Sequence, residues 1–406
     1  MTTVALVVGE SPAKLWHLNS QDRIARQLKQ SGKIQLLESE QDIPENAQVL
    51  LLSAHFLYEV RTLSELLQRR DSLLRFQTDS RPAAAMINAA DAADILTAMR
   101  APMPKEHHPL PEHLSWINVS DLGAFDHQLR KAKPPLLEPI TAANHNELES
   151  LLYGTAYKGI TDLVTKFVWP KPARVGVQIC ARFGLTPNLV TTVGFLLMLA
   201  ACYLFSQGQY AAGLLAGWIM TYLDTVDGKL ARVTIKSSKF GHLFDHGMDI
   251  IHPPFWYVYW GSALISFTPV YGLTVSDLNL LIIGGYIGGR LLEMAFHLLG
   301  HCSIFSWRPL DAYFRLVTAR RNPCMILLTA SLFVGRPDWG FIAVALWTVA
   351  STALMALRLL QGLLARLRYG PLESWLKDPE RAAENHPKAY QTFSGTQSAY
   401  AVSRNP

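Results

Sequence analysis

Hydrophobic positions in this 406-residue chain follow one pattern in the front third and another in the rest. In the front third, the short apolar runs 4–8 and 49–52 predict buried strands, and residues 21–30 and 62–69 have the spacing of helices. This alternation predicts a layered α/β domain with a mainly parallel sheet. From about residue 183 onward, long runs without charged residues replace it.

The long apolar runs predict membrane helices, because a helix needs about 20 apolar residues to cross a bilayer. Residues 183–223 contain no Asp, Glu, Lys, Arg or His, and this run of 41 residues is too long for one crossing. The polar cluster 206–209 divides it into two. We therefore predict six transmembrane helices: one on each side of this cluster, and one in each of the runs 250–276, 278–299, 322–335 and 339–357.

The composition agrees with a membrane protein. Half of the residues are hydrophobic, 17% are charged and the mean hydropathy is +0.14, whereas a soluble chain has about 25% charged residues. This balance excludes a disordered chain, which would be rich in charge and poor in aromatic residues. The four cysteines include no C-x2-C pair, which argues against a disulfide scaffold and a cysteine zinc site.

Basic residues lie on one side of the predicted helices. The loops near 206–209, 269–277 and 335–338 hold one arginine and no lysine, whereas each segment on the other side holds several basic residues. This positive-inside pattern, with an even number of crossings, predicts that both termini and the active site are cytoplasmic, in a bacterial inner membrane. The expected units are a soluble domain (1–140), a linker with an amphipathic juxtamembrane segment (141–184), the six-helix domain (185–368) and a polar, mostly disordered tail (369–406).

Residues 1–140 resemble the sugar-nucleotidyltransferase fold, in which a glycine-rich loop after the first strand holds nucleotide phosphates. Here that loop, residues 9–14, has one glycine and includes Glu10. The position where the family has a metal-binding Asp corresponds to Ala54 or His55. A phosphate loop needs open backbone N–H groups and no nearby negative charge. We therefore expect a degenerate, inactive domain; the alternative is an unrelated α/β regulatory domain.

Four aspartates at the cytoplasmic ends of two predicted helices carry most of the chemical information. Asp224 and Asp227 are three residues apart, and Asp245 and Asp249 are four apart, so each pair lies on one face of its helix. If the two helices are neighbours, the four carboxylates converge.

Four carboxylates at a membrane boundary need a positive partner, because their desolvation is unfavourable. Carboxylate oxygens suit Mg²⁺, Mn²⁺ or Ca²⁺, and two such ions are typical of phosphoryl transfer. Gly228 and Gly241 leave the backbone open to a ligand, and the Arg232 guanidinium can bind phosphate. The alternative is that the acids face water or pair with Lys229 and Arg232.

The spacing D-x2-D-G-x2-A-R-x8-G-x3-D-x3-D in residues 224–249 is similar to the signature of the CDP-alcohol phosphotransferase family and matches it at every fixed position. Residues 187–191 look like the family's PNxxT segment, and the resemblance extends over roughly residues 150–370. It implies a fold of six transmembrane helices with a cytoplasmic site, in agreement with the count made from the apolar runs.

The resemblance also implies a mechanism. An acceptor hydroxyl loses its proton to a general base and attacks the β-phosphorus of a CDP-alcohol, and CMP leaves. A two-metal site with Mg²⁺ or Mn²⁺ neutralises the pyrophosphate. The implied metal ligands are Asp224, Asp227, Asp245 and Asp249, with Asp249 also the base, and the implied CDP site consists of Gly228, Ala231, Arg232, Gly241, Asn188 and Thr191.

Three further residues are candidates for binding the acceptor. His252 lies one turn after the predicted base, just before a helix kink expected at Pro253-Pro254. Arg290 lies inside a predicted membrane helix, where ions are functional candidates, although it could instead pair with Glu293. Lys158 could approach a phosphorylated acceptor or contact lipid headgroups.

The predicted function is an integral membrane enzyme of phospholipid or related phosphodiester synthesis. It would transfer a phospho-alcohol group, such as phosphatidyl, from a CDP-alcohol such as CDP-diacylglycerol to inositol phosphate, glycerol phosphate or another hydroxyl acceptor. Membrane lipid and a second copy of the chain are the other expected partners, and nucleic acid is not one. The alternatives are an inactive family member or a cation transporter; acids at helix ends beside glycine and arginine favour the enzyme, since transporters place them mid-bilayer.

Overall fold

A computed structural model of the chain has an α/β part at the front, followed by a part built almost entirely of helices. The strands are β1 (Thr3–Val8), β2 (Gln35–Leu37), β3 (Gln48–Ser53), β4 (Phe56–Tyr58), β5 (Ser72–Arg75), β6 (Pro82–Asn88), β7 (Ser115–Asn118), β8 (Phe125–Asp126), β9 (Lys131–Ala132) and β10 (Leu137–Pro139).

The helices of both parts are α1 (Ser20–Ser31), α2 (Val60–Leu66), α3 (Ala92–Arg100), α4 (His145–Thr155), α5 (Pro170–Arg182), α6 (Pro187–Ser206), α7 (Tyr210–Val233), α8 (Lys239–Ser262), α9 (Val275–Leu299), α10 (Pro309–Val317), α11 (Arg321–Phe333), α12 (Pro337–Tyr369), α13 (Pro379–Asn385) and α14 (Pro387–Phe393). The structure describes residues 2–31, 34–77, 81–101, 110–122, 125–126, 131–132, 135–236, 239–265, 267–300 and 302–394, with the backbone alone at 31, 125–126, 131–132, 239–240, 242–243 and 245–246.

The front sheet has the strand order β2-β1-β3-β6-β5-β7. β1 runs parallel to β2 and β3, and β5 runs parallel to β7, but β6 is antiparallel to both of its neighbours. The α/β architecture is therefore confirmed, and the six-stranded sheet is mainly parallel, with β6 the one strand of these six that runs in the opposite direction. The reason is the short connection from β5 to β6, because a parallel pair needs a crossover of a dozen or more residues.

Both faces of the front sheet are buried, as the continuous apolar runs of β1 and β3 require. Leu50 and Leu52 pack beneath α1 and α2, whereas Val49 and Leu51 point to the opposite face and pack against α3. This alternation follows from the two-residue period of a strand. The front part therefore has its own hydrophobic core.

A helix lies in each of the six predicted membrane segments, although α8 ends at Ser262 within the run 250–276, and only part of the six-span prediction is confirmed. Among the described residues, three helices are long and apolar enough to cross a membrane, namely α6, α9 and α12. α7 carries the first acid pair and two basic residues in its last turns, and α11 has 13 residues, about 20 Å, which is short for a 30 Å bilayer core. The three long apolar helices are typical of an integral membrane protein.

A cluster of large aromatic side chains joins the membrane helices away from the acids. Phe205, Trp256, Trp260 and Phe341 are at most 1% exposed, and the indole of Trp260 donates a hydrogen bond of 3.0 Å to the carbonyl of Pro337. Full burial of such side chains contributes about 1.5–3 kcal/mol each. This core holds α6, α8 and α12 together and fixes the relative positions of the helix ends that carry the acids.

The expectation of a mostly disordered tail is wrong for the described residues. Beyond α12, Leu372, Leu376 and Phe393 are at most 4% exposed and pack in one cluster with Ile160 and Phe305. The physical reason is that the tail contains apolar residues among its polar ones. These apolar residues pack on hydrophobic side chains of the juxtamembrane segment and α10. The tail is therefore part of the folded molecule as far as residue 394.

The front part contacts the helical part through the loop that follows β1. The Trp16 backbone N–H donates to Glu149 Oε1 at 2.6 Å, and its indole packs against Tyr153. Arg26 in α1 donates to the carbonyl of Thr234 at the end of α7 at 2.8 Å. The front part is therefore joined both to α4 and to the helix that carries Asp224 and Asp227.

Candidate active site

Acids from two helices meet at one arginine. Asp224 lies near the end of α7 and Asp249 lies in α8, and Arg321 at the start of α11 contacts both. Its guanidinium nitrogens are 2.7 Å from Asp224 Oδ2 and 2.6 Å from Asp249 Oδ1. The predicted convergence of the two helices is thus observed for Asp224 and Asp249. Arg321 supplies part of the positive charge that the cluster of carboxylates was expected to need.

Asp227 lies beside this pair and is 3% exposed. The hydroxyl of Thr191 in α6 donates to Asp227 Oδ2 at 2.6 Å. Asp227 Oδ1 is buried and has no hydrogen-bond partner among the residues that the structure describes. A buried carboxylate oxygen without a partner is unfavourable unless a cation or a donor reaches it.

The chemistry of these three acids suits a divalent cation. Asp224, Asp227 and Asp249 supply hard oxygen ligands of the kind that Mg²⁺ and Mn²⁺ prefer, and the unpartnered Oδ1 of Asp227 is one point at which a cation would be favourable. In the described side chains, no three His, Cys, Asp or Glu residues are grouped closely enough to hold a metal ion. Asp245 lies in α8, but its side chain is outside the described residues.

Buried polar contacts fix the segment that presents Arg321. Asn322 donates from Nδ2 to Asp162 Oδ1 at 3.0 Å, and the backbone N–H of Thr165 donates to the same oxygen at 3.0 Å. Burial opposes ionisation of Asp162, but Arg315 and these hydrogen bonds outweigh it and hold the pKa of Asp162 below its ordinary value. An ionised Asp162 therefore ties the juxtamembrane turn to the first turn of α11.

The residues of the implied CDP site lie near the C-terminal end of α7 and in the first turns of α6 and α8. Gly228 and Ala231 are half-buried and Arg232 is exposed, with its Nη1 2.7 Å from the carbonyl of Gly228. Gly241 lies half-buried in the first turn of α8, and Asn188 is exposed in the first turn of α6. The Arg232 guanidinium lies over Gly228, with its Nη1 3.3 Å from the position that a Cβ atom of this residue would take.

The three acceptor candidates lie in different surroundings. His252 is 2% exposed, and its Nδ1 is 2.6 Å from the carbonyl of Met248. Arg290 pairs with Glu293 at 3.4 Å, as the structural alternative proposed, and Glu293 also pairs with Arg320. Lys158 is exposed in the loop after α4.

Lys229 makes contacts away from the acid pair. Its Nζ donates to the carbonyl of Ala156 at 2.9 Å and lies 3.4 Å from the centre of the Tyr157 ring. This cation–π contact and hydrogen bond anchor α4 on α7.

Sequence reasoning missed Arg321 and the hydrogen bond from Thr191 to Asp227. Arg321 counted only as one of the basic residues that set the topology, because nothing in its spacing relates it to residues 72 or more positions away. An Arg-Arg-Asn sequence at the start of an apolar run was the available signal, since helix ends beside the membrane are where charged side chains can face a site.

Comparison with known proteins agrees with the motif. Residues 184–364 match the CDP-alcohol phosphatidyltransferase family. The chain is 44% identical to archaetidylinositol phosphate synthase of Pyrococcus horikoshii over a match that covers 19% of the chain and 40% of that protein.

Two further relatives are similar over part of the chain. One is choline/ethanolaminephosphotransferase 1 of Arabidopsis thaliana, which is 32% identical over a match that covers 27% of the chain and 36% of that protein. The other is cholinephosphotransferase 1 of Rattus norvegicus, which is 31% identical over a match that covers 29% of the chain and 31% of that protein. The chain spans less than half the length of each of these relatives. The segment that matches the CDP-alcohol phosphatidyltransferase family contains α6 to α11 and most of α12, including every described acid of the site.

Proposed function

We propose that the protein is an integral membrane CDP-alcohol phosphotransferase. The observation that carries this proposal is the meeting of Asp224 and Asp249, from different helices, on the guanidinium of Arg321, next to the buried Asp227 and inside the segment that matches the family. The arrangement favours the enzyme over a cation transporter, because Arg321 already compensates Asp224 and Asp249, and Asp224 and Asp227 lie toward the C-terminal end of α7.

In the proposed reaction, Asp249 accepts the proton of the acceptor hydroxyl. The hydroxyl oxygen forms a bond to the β-phosphorus of the CDP-alcohol, the bond from this phosphorus to the bridging oxygen breaks, and CMP leaves with that electron pair. Asp249 suits the base because its side chain is 35% exposed, whereas Asp224 is 18% exposed and Asp227 is buried. Mg²⁺ or Mn²⁺ held by Asp224, Asp227, Asp245 and Asp249 would neutralise the charge that develops on the pyrophosphate.

Other groups of the chain would bind the nucleotide and the acceptor. Arg232 and Gly228, with Ala231, Gly241, Asn188 and Thr191, would hold CDP, and preorganised donors account for much of the acceleration in phosphoryl transfer. The names of the relatives suggest donors such as CDP-choline or a CDP-linked lipid such as CDP-diacylglycerol, and acceptors such as inositol phosphate. Glycerol phosphate is a second acceptor to test, and His252, Arg290 and Lys158 are the candidates for contacting it.

The proposal includes a topology. Six crossings would place both termini and the acids on the cytoplasmic face of the membrane, with a homodimer as the functional unit. The apolar helices α6, α9 and α12 support the crossings, and the basic residues of the predicted inner loops support the orientation. The units 1–140, 141–184, 185–368 and 369–406 remain our proposed division of the chain, with the first an inactive nucleotidyltransferase-like domain.

We expect Asp249→Asn to abolish CMP release, because an amide cannot accept the proton, while the protein stays folded. The assay uses purified protein with Mg²⁺ or Mn²⁺ and a panel of CDP-alcohols and acceptors, with detection of CMP. Asp338→Asn is the matched control, because this acid pairs with Arg336 at the start of α12, away from the site, and should leave CMP release unchanged. Full activity of Asp249→Asn would contradict the role of base, and absence of CMP with every donor in the wild type would contradict the function.

A further inference from the structure

Helix α8 contains two consecutive prolines one turn after Asp249. Pro253 and Pro254 lie inside the helix, and proline has no backbone N–H to donate. In a regular helix, the N–H groups of residues 253 and 254 would bond to the carbonyls of Asp249 and Ile250. Because of the prolines, the carbonyls of Asp249, the proposed base, and of Ile250 therefore lack their usual helical donors.

A tyrosine of the neighbouring helix supplies the missing donor. Tyr286 in α9 is 8% exposed, and its hydroxyl lies 2.8 Å from the carbonyl of Ile250 and 3.4 Å from that of Asp249. A hydroxyl has one proton, so the shorter contact to Ile250 is the main hydrogen bond. One side chain thus serves both carbonyls that the prolines leave open.

Arg290 determines where the proton of Tyr286 points. Its Nη2 lies 3.0 Å from the Tyr286 hydroxyl oxygen, and a guanidinium can only donate hydrogen bonds. The hydroxyl must accept this bond, so its own proton is directed at the α8 carbonyls. The pairs of Glu293 with Arg290 and with Arg320 hold the guanidinium in place.

We propose that Tyr286, oriented by Arg290, is a positioning residue that holds the turn of α8 carrying Asp249. This proposal rests on the proposed function, because it assigns a role relative to the base of that reaction. Without the tyrosine hydroxyl, the carbonyls of Asp249 and Ile250 would lack a donor, and the Asp249 side chain would sample orientations away from Asp224. Tyr286 itself touches backbone and not the substrate.

The first test is Tyr286→Phe, which removes the hydroxyl and keeps the ring. We expect kcat for CMP release to fall about tenfold, because loss of one hydrogen bond to a buried carbonyl allows the base to leave its productive position, with the KM for the donor nearly unchanged. The matched control is Tyr210→Phe, because the Tyr210 hydroxyl also donates to a backbone carbonyl of α8, that of Trp260 at 3.3 Å. Unchanged kcat in Tyr286→Phe, or equal loss in both variants, would overturn the proposal.

The second test uses the prolines and needs no turnover. In the double variant Pro253→Ala and Pro254→Ala, the helix has its own N–H donors for the two carbonyls. Tyr286→Phe should lower the thermal unfolding midpoint of the wild type and have little effect in the alanine background. An equal decrease in both backgrounds would mean that Tyr286 acts by packing alone and would overturn the proposal. If the double variant does not fold, Pro254→Ala alone restores a donor for the carbonyl of Ile250, which has the shorter contact with Tyr286. The effect of Tyr286→Phe on the unfolding midpoint is then compared between this single variant and the wild type.

These two tests separate this proposal from the function on which it rests. If the wild type releases no CMP from any donor, the proposed function fails, while the comparison of unfolding midpoints still decides whether Tyr286 serves the carbonyls. If the wild type is active and Tyr286→Phe retains its kcat, the function stands and the positioning role is refuted.

Discussion

Arg321 acts as the counter-charge of the acid pair in the structure. Its side chain is 12% exposed and contacts Asp224 and Asp249 within 2.7 Å. Removing one partner of a buried ion pair is strongly destabilising, because the remaining charges lose their compensation. A cation bound to the same carboxylates would compete with the arginine or share the acids with it.

We expect Arg321→Ala to lower the free energy of unfolding by about 3–5 kcal/mol when no divalent cation is present. Mn²⁺ should then raise the unfolding midpoint of the variant more than that of the wild type, because the ion replaces the lost positive charge. Thermal unfolding in detergent with and without Mn²⁺ measures both effects.

The matched control is Arg336→Ala, because Arg336 forms an equally short pair with Asp338 but is exposed. This change should leave the midpoint unaltered. A midpoint for Arg321→Ala equal to that of the wild type without Mn²⁺ would show that the acids do not depend on the arginine.

At the scale of single residues, the sequence predicted the acids but not their partners. Spacings of three and four residues place side chains on one helix face, which is local information. The contacts of Thr191 with Asp227 and of Arg321 with Asp224 join α6, α7 and α11, and they depend on how helices pack. The contact of Arg290 with Tyr286 has the same cause, because Tyr286 and the prolines of α8 meet only in the fold.

The juxtamembrane helix α5 approaches α7 closely at Gly176. A Cβ atom at this position would lie 2.3 Å from the Tyr222 hydroxyl and 2.9 Å from Val226 Cγ2. The same hydroxyl donates to the carbonyl of Pro172 at 3.2 Å. The glycine therefore lets α5 pack directly on the helix that carries the first acid pair.

We expect Gly176→Ala to decrease the free energy of unfolding by about 1–3 kcal/mol, because the added methyl group forces α5 away from Tyr222. Gly194→Ala is the control: Gly194 also lies in a helix, and no described atom is within 4 Å of a Cβ placed there. That variant should be unchanged or more stable, since alanine favours helix over glycine. Thermal midpoints in detergent test both, and equal midpoints for the two variants would contradict the close contact.

At the scale of elements, the apolar runs predicted the positions of the helices well. They were less successful in predicting which of these helices are long and apolar enough to cross a membrane. Runs of hydrophobic residues specify burial in either protein or lipid, so they located α6 to α9, α11 and α12. They could not show that α8 begins at Lys239 and includes the second acid pair within its first turns. The mainly parallel sheet was predicted, but the reversal of β6 was not, because it depends on one short connection.

The tail connects parts of the molecule that are distant in sequence. Phe393 is fully buried in the cluster that contains Ile160 and Phe305, and the Lys166 ammonium lies 5.2 Å from its ring centre. Burial lowers the pKa of Lys166 to about 8. The tail thus covers the turn that leads from Asp162 to α5 and belongs to the support of the site.

We expect Phe393→Ala to lower the free energy of unfolding by about 3–5 kcal/mol, because it leaves a cavity in this cluster. Gln391→Ala, an exposed position of the same helix α14, should change it by no more than about 0.5 kcal/mol. Chemical unfolding in detergent compares the two variants. Equal stabilities would mean that the tail does not contribute to the folded molecule.

The packing of residues 372–393 also fixes an order of events during synthesis. The ribosome makes a chain from its N terminus, so these residues are completed after the helices they cover. Until then, Ile160 and Phe305 lack part of their cover, and the turn before α5 is without its final support. The apolar helices of the nascent protein can therefore enter a membrane before the end that carries the acids is fully packed, and we expect a chain that stops short of residue 393 to be inserted but incomplete.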